Sequence, residues 1–143
     1  MTHSKQGLAL TERFEGCKLE AYQDSKGVWT LGYGHTHGVH EGMGCNQAQA
    51  EAWLADDTAW AERVVNALVL RPLTQGEFDA LVDFAFNVGS GNLQRSTLLR
   101  VLNAGHLDEA AAEFEAWDKS GGKVVAGLER RREAEEKEFE SIS

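Results

Sequence analysis

Apolar positions recur at helical spacing along most of this chain and at hairpin spacing in one short stretch near its start. Leu8, Leu10 and Phe14 predict a short N-terminal helix that stops at Gly16, a residue free to adopt the left-handed cap. The texture changes over residues 19 to 35. Asp24-Ser25-Lys26-Gly27 reads as a turn, with Leu19 to Gln23 and Val28 to Tyr33 as its strands, and a loop rich in Gly and His runs on to Cys45. From Asn46, a helix cap, the spacing predicts one helix through Ala48, Trp53, Trp60, Val64 and Leu68, with both tryptophans on one core-facing side, broken by Pro72. Thr74-Gln75-Gly76-Glu77 has the form of a capping box and opens a helix with Phe78, Leu81, Val82, Ala85 and Phe86 inward. Gly89-Ser90-Gly91 interrupts. Shorter helices follow over Ser96 to Asn103 and over the alanine-rich stretch Leu107 to Trp117; Gly121-Gly122 marks a loop, and Leu128 to Phe139 a charged last helix.

The architecture implied is α+β and mostly helical: a small β-hairpin lobe at about 16–46, a bridging helix at about 47–69, and a larger helical lobe at about 74–140 joined by the N-terminal helix. A length of 143 residues suits a single domain over 1–143, and 42% hydrophobic residues with four tryptophans can build an interior without metal or disulfide support. A net charge of −9 argues against nucleic acid and against capture by an anionic membrane surface. No apolar run approaches a membrane span, and Met1-Thr2-His3-Ser4-Lys5-Gln6 has no signal-peptide pattern, so stable membrane insertion is not expected. Cys17 and Cys45 are too few for a disulfide framework and read as reduced thiols; a bridge between them would disturb Glu15, two residues away.

Chemistry concentrates in residues 15 to 35. Glu15 falls at the C-terminal end of the first predicted helix, where the helix dipole and apolar neighbours such as Phe14 favour a protonated carboxyl. Asp24 opens a tight turn, where backbone N–H groups and water favour the ionised form. Two carboxyls held in opposite protonation states are the equipment for cleaving a glycosidic bond. Thr30 alternates with Val28 and Gly32 on one strand face, so its hydroxyl can orient an attacking water beside Asp24. Gly32 and Gly34 leave room for a sugar ring. The pair also has an ordinary reading, because an acidic chain supplies Glu and Asp nine apart by chance and a glycine-punctuated hairpin is common surface structure.

The complete run FEGCKLEAYQDSKGVWTLGYGHT at 14–36, with Glu-x8-Asp-x5-Thr inside it, resembles the phage-type lysozymes, the endolysin family that includes the lysozyme of T-even phages. So do FNVGSGNLQRSTLLRVLNAG at 86–105, WDKSGGKV at 117–124 and GLERRREAE at 127–135, and the similarity spans about Leu8 to Glu138. The resemblance implies a two-lobe lysozyme-like fold and a muramidase that cuts the β-1,4 bond between N-acetylmuramic acid and N-acetylglucosamine in peptidoglycan, with inversion. It implies Glu15 as general acid, Asp24 as the water-activating carboxylate and Thr30 as the water-positioning hydroxyl. It also implies a cleft between the lobes to which Thr36, Phe86, Asn87 and Ser96 contribute. The enzyme is expected to be a monomer without cofactor, held in the host bacterial cytoplasm until a holin pore releases it to the wall. Some relatives are basic and others carry an N-terminal membrane anchor; this acidic sequence shows neither feature.

Other residues have competing readings. His35, His37, His40, Glu41 and Cys45 lack the closed spacing of a structural zinc site, so no metal is expected; His35 reads as an ion-paired or hydrogen-bonded group, and His37 and His40 as solvated. Trp29, Tyr33 and Trp117 could stack on sugars. Arg130-Arg131-Arg132 among glutamates reads as a solvated, salt-bridged helix face, with one of Arg131 and Arg132 turned inward toward Glu15. Three alternatives stand beside the muramidase. A lytic transglycosylase has no need of Asp24 and Thr30, a chitinase-like enzyme would take sugars lacking the lactyl ether, and a wall-binding or virion module would have lost its catalytic residues.

Overall fold

The computed structural model describes residues 1–141. The fold is mostly helical with a small hairpin, and it divides into two compact units: Thr11–Ala59, and Met1–Leu10 together with the chain from Trp60 onward. Helix α1 (Lys5–Glu15) stops at Gly16, which takes φ +69°, as its position predicts.

Within the unit Thr11–Ala59, strands β1 (Lys18–Gln23) and β2 (Trp29–Gly32) pair antiparallel, with Tyr22 opposite Thr30 and Gln23 opposite Trp29. The outer edge of β1 is covered by the returning loop: Ala21 N–H donates to Met43 C=O and Cys45 N–H to Leu19 C=O. Helix α2 (Gln47–Asp57) opens with a complete capping box, Asn46 and Gln49 each satisfying the other's backbone N–H. Gly32 (φ +65°) faces it so closely that a β-carbon there would lie 3.2 Å from the Ala50 methyl. Gly32 is therefore a packing glycine, not an opening for sugar.

The single helix expected from Asn46 to Leu68 is two. It breaks at Thr58, which is buried and whose hydroxyl donates back to Ala55 C=O, and α3 (Ala59–Leu68) starts afresh. Trp53 and Trp60 accordingly sit on different helices.

In the larger unit the axis is α4 (Gln75–Val88), buried continuously from Gly76 to Ala85 and opened by the predicted Thr74–Glu77 capping box. Around it lie α5 (Ser90–Arg95), α6 (Thr97–Asn103), α7 (Leu107–Glu113) and a 3-10 turn at Phe114–Trp117. Phe84, Phe114, Trp117 and Phe139 meet edge to face at 5.4–5.6 Å and fill the centre. Three details depart from the sequence expectation. Ser90–Arg95 is helical; the alanine-rich helix tightens to 3-10 at Phe114; and Gly121-Gly122 turns a minimal ribbon between β3 (Lys119–Ser120) and β4 (Lys123–Val124).

The last helix, α8 (Ala126–Glu140), packs on α4 and overturns the solvated-face reading of its arginines. Arg131 and Arg132 are 5% and 1% exposed, and Arg130 alone of the three is exposed. Arg131 forks onto Asp83, with Nε 3.0 Å from Oδ2 and a terminal nitrogen 2.8 Å from Oδ1. Arg132 and Glu135 form a second buried pair at 2.7–3.0 Å. Burial and the Asp83 carboxylate push the Glu135 carboxyl well above its usual range, against the pull of Arg132 and Arg131. Removing one member of a buried pair leaves the other charge uncompensated, which costs about 3–5 kcal/mol. Arg131→Met is expected to lower the unfolding free energy by that amount, read as a lower urea midpoint with little change in m, while Asp83→Leu combined with Arg131→Met recovers much of the loss.

Candidate active site

The hairpin turn is organised by one residue whose side chain takes no part. Asp24 Oδ1 accepts N–H bonds from Lys26 (2.8 Å) and Val28 (2.9 Å). Asp24 N–H donates to Val28 C=O (2.9 Å), and the Thr30 hydroxyl donates to the same carbonyl (2.9 Å). The backbone of Val28 thus holds both the carboxylate and the hydroxyl that the sequence singled out. Asp24 is half-buried, and among the described residues its Oδ2 has no hydrogen-bond partner. Thr30 is 4% exposed. Its only proton lies on Val28, so Oγ1 can offer a water nothing but lone pairs.

Glu15 is the last residue of α1, half-buried, and a β-carbon at Gly34 would stand 3.4 Å from its Oε1. Glu15, Asp24, Thr30 and the exposed Thr36 all fall in the unit Thr11–Ala59, whereas Phe86, Asn87 and Ser96 fall in the other.

His35 ties the end of the hairpin to α2. Its backbone pairs with Leu31 at 2.8 and 2.9 Å, its Nδ1 lies 2.8 Å from Asp57 Oδ2, and its ring stacks on Trp53 with centroids 4.5 Å apart. This is the ion-pairing role expected of it, while His37 and His40 are exposed. Among the described residues no three His, Cys, Asp or Glu side chains gather closely enough to hold a metal. Cys17 and Cys45 are free and half-buried; burial, then proximity to Cys45, pushes the Cys17 thiol up, which keeps it protonated and unreactive at neutral pH.

Several predicted ligands turn out to serve the interior. Ser96 is 6% exposed and caps α6: its hydroxyl donates to Leu93 C=O and accepts from Leu99 N–H, so it has no proton for a sugar. Tyr33 is buried and its hydroxyl accepts from Gln47, while Trp117 is half-buried and packs edge to face on Phe84. Phe86 is half-buried at the core's edge, its ring tilted against Trp60 at 6.1 Å. Asn87 is exposed, with its Oδ1 held by Arg132 at 2.8 Å. Two features around the candidate residues escaped the sequence reading: Val28, which acts through backbone alone, and the Arg132–Glu135 pair behind Asn87, signalled only by their i, i+3 spacing.

The His35 contacts give a direct check. His35→Ala removes the stack and leaves Asp57 unpaired, and should destabilise the protein by about 2 kcal/mol in thermal or urea unfolding.

Comparison with known proteins places the chain in a family. The phage lysozyme family model matches residues 12–135. The chain is 45% identical over 142 residues to the endolysin of Acyrthosiphon pisum secondary endosymbiont phage 1, covering 96% of this chain and 97% of that protein. It is also 45% identical to the endolysin of Bacillus phage B103, of which it spans only 52%. Among solved structures, the muramidase domain of SpmX from Asticaccaulis excentricus superposes with a TM-score of 0.92 at 39% identity, with 99% of each chain covered. This chain belongs to the phage lysozyme family and is a lysozyme-type glycoside hydrolase.

Proposed function

We propose that this chain is an endolysin muramidase, hydrolysing the β-1,4 bond between N-acetylmuramic acid and N-acetylglucosamine in bacterial peptidoglycan for host cell lysis. The observation that carries the reading is the shared anchoring of Asp24 and Thr30 on Val28, with Glu15 in the same unit at a helix end.

Glu15 delivers its proton to the glycosidic oxygen, and the N-acetylglucosamine side departs as an alcohol. Asp24 Oδ2, the oxygen not held by the turn, takes a proton from water as that water's oxygen bonds to the anomeric carbon. Thr30 Oγ1, a pure acceptor, takes the water's other O–H and so aims the oxygen's lone pair at the sugar. The cycle leaves Glu15 ionised and Asp24 protonated, and solvent resets both. Water entering opposite the leaving group inverts the anomeric centre. Thr36, Phe86 and Asn87 belong to this reading as substrate contacts; Ser96 does not, because its hydroxyl is committed to its helix cap. No described helix is long and apolar enough to cross a membrane, and the reading has the monomer reach the wall from the host cytoplasm through a holin pore.

Product analysis on purified peptidoglycan tests the assignment. Wild type is expected to generate new reducing ends at muramic acid, first as the α-anomer by NMR. Glu15→Gln and Asp24→Asn should each lower the rate about 10²–10⁴-fold in protein that still folds by circular dichroism. Thr30→Val keeps the shape, removes both the bond to Val28 and the acceptor for water, and should lower kcat more than it raises KM. Anhydromuramic products would identify a lytic transglycosylase instead, and binding without cleavage a non-catalytic wall module.

A further inference from the structure

Asn87 is an exposed residue one position from the end of α4, yet the group behind it is among the least accessible in the protein. A terminal nitrogen of Arg132 donates to Asn87 Oδ1 at 2.8 Å and to Glu135 Oε2 at 3.0 Å. The rest of the guanidinium is confined too. Its Nε lies 2.7 Å from Glu135 Oε1 as an ion pair, its other terminal nitrogen is 3.5 Å from Trp117 C=O, and the Phe84 ring lies 5.1 Å from its central carbon.

A guanidinium has donors only. Turned about, the Asn87 amide would set its own N–H groups against those of Arg132, so the oxygen must face inward and the two N–H groups outward. We propose that Arg132 is a positioning residue that makes Asn87 a one-way hydrogen-bond donor for the acetamido carbonyl of an N-acetylated sugar. A sugar hydroxyl can donate or accept and has no need of a side chain with fixed polarity. A carbonyl can only accept, and a donor that cannot flip distinguishes it. The proposal rests on the muramidase reading, whose substrate carries an acetamido group on each ring.

The test compares kcat and KM on soluble peptidoglycan strands that are fully N-acetylated, chemically de-N-acetylated, or de-N-acetylated and then re-acetylated. Wild type should lose about 3–10-fold in kcat/KM on de-N-acetylated strands, chiefly through KM, and recover it on re-acetylation. Asn87→Asp keeps an acceptor toward Arg132 but presents oxygen outward. It should show that loss on acetylated strands and no longer prefer them. Arg132→Gln frees the amide to turn and should raise KM for acetylated strands with kcat retained; if it does not fold, Asn87→Asp alone decides. Wild type that cleaves both kinds of strand equally well, or Asn87→Asp that keeps the wild-type preference, overturns the inference and leaves the muramidase standing. Wild type that yields no reducing ends from acetylated strands overturns both.

Discussion

Two adjacent arginines removed from water set the terms for the larger unit. A guanidinium cannot lose its charge inside a protein, so each one buried needs an acceptor in contact with it. Asp83 and Asn87 are four apart on α4 and therefore share a face, and Arg131 and Arg132 reach them from neighbouring positions on α8. A shift of α8 by one residue would part both contacts at once. The aromatic cluster around Phe84 supplies the burial, but apolar surfaces tolerate sliding; the forked Arg131–Asp83 contact does not.

The hairpin unit follows a parallel logic in backbone. A carboxylate on a surface turn would ordinarily swing, and a threonine hydroxyl would rotate. Val28 removes both freedoms, giving its N–H to Asp24 and its carbonyl to Asp24 and Thr30. His35 then fixes the far end of the hairpin through Asp57 and Trp53, next to the residue that borders Glu15. Rigidity of Asp24 and Thr30 comes from polar contacts of the turn, and rigidity of the turn from packing on α2.

Much of this was legible in the chain. The caps at Asn46 and Thr74, the stop at Gly16, the hairpin and the helix α6 with its Ser96 start follow from local chemistry, in which a side chain meets backbone or neighbours a few residues away. The errors have a common cause. Thr58 breaks a helix whose apolar spacing runs on unbroken through it. Tyr33 and Ser96 have chemistry suited to a sugar, and only their surroundings show it is directed inward.

What the sequence determined by itself was most of the elements and the residue types in the run 15–35, because helix caps, turns and strand alternation act over a handful of residues. Only the tertiary structure decided which charges are buried. Arg131 and Arg132 sit among glutamates in a helix that reads as solvent-facing, and their place inside depends on Asp83 and Asn87, more than forty residues earlier in the chain. No local pattern encodes a partner at that separation, since the pairing exists only once α4 and α8 have met.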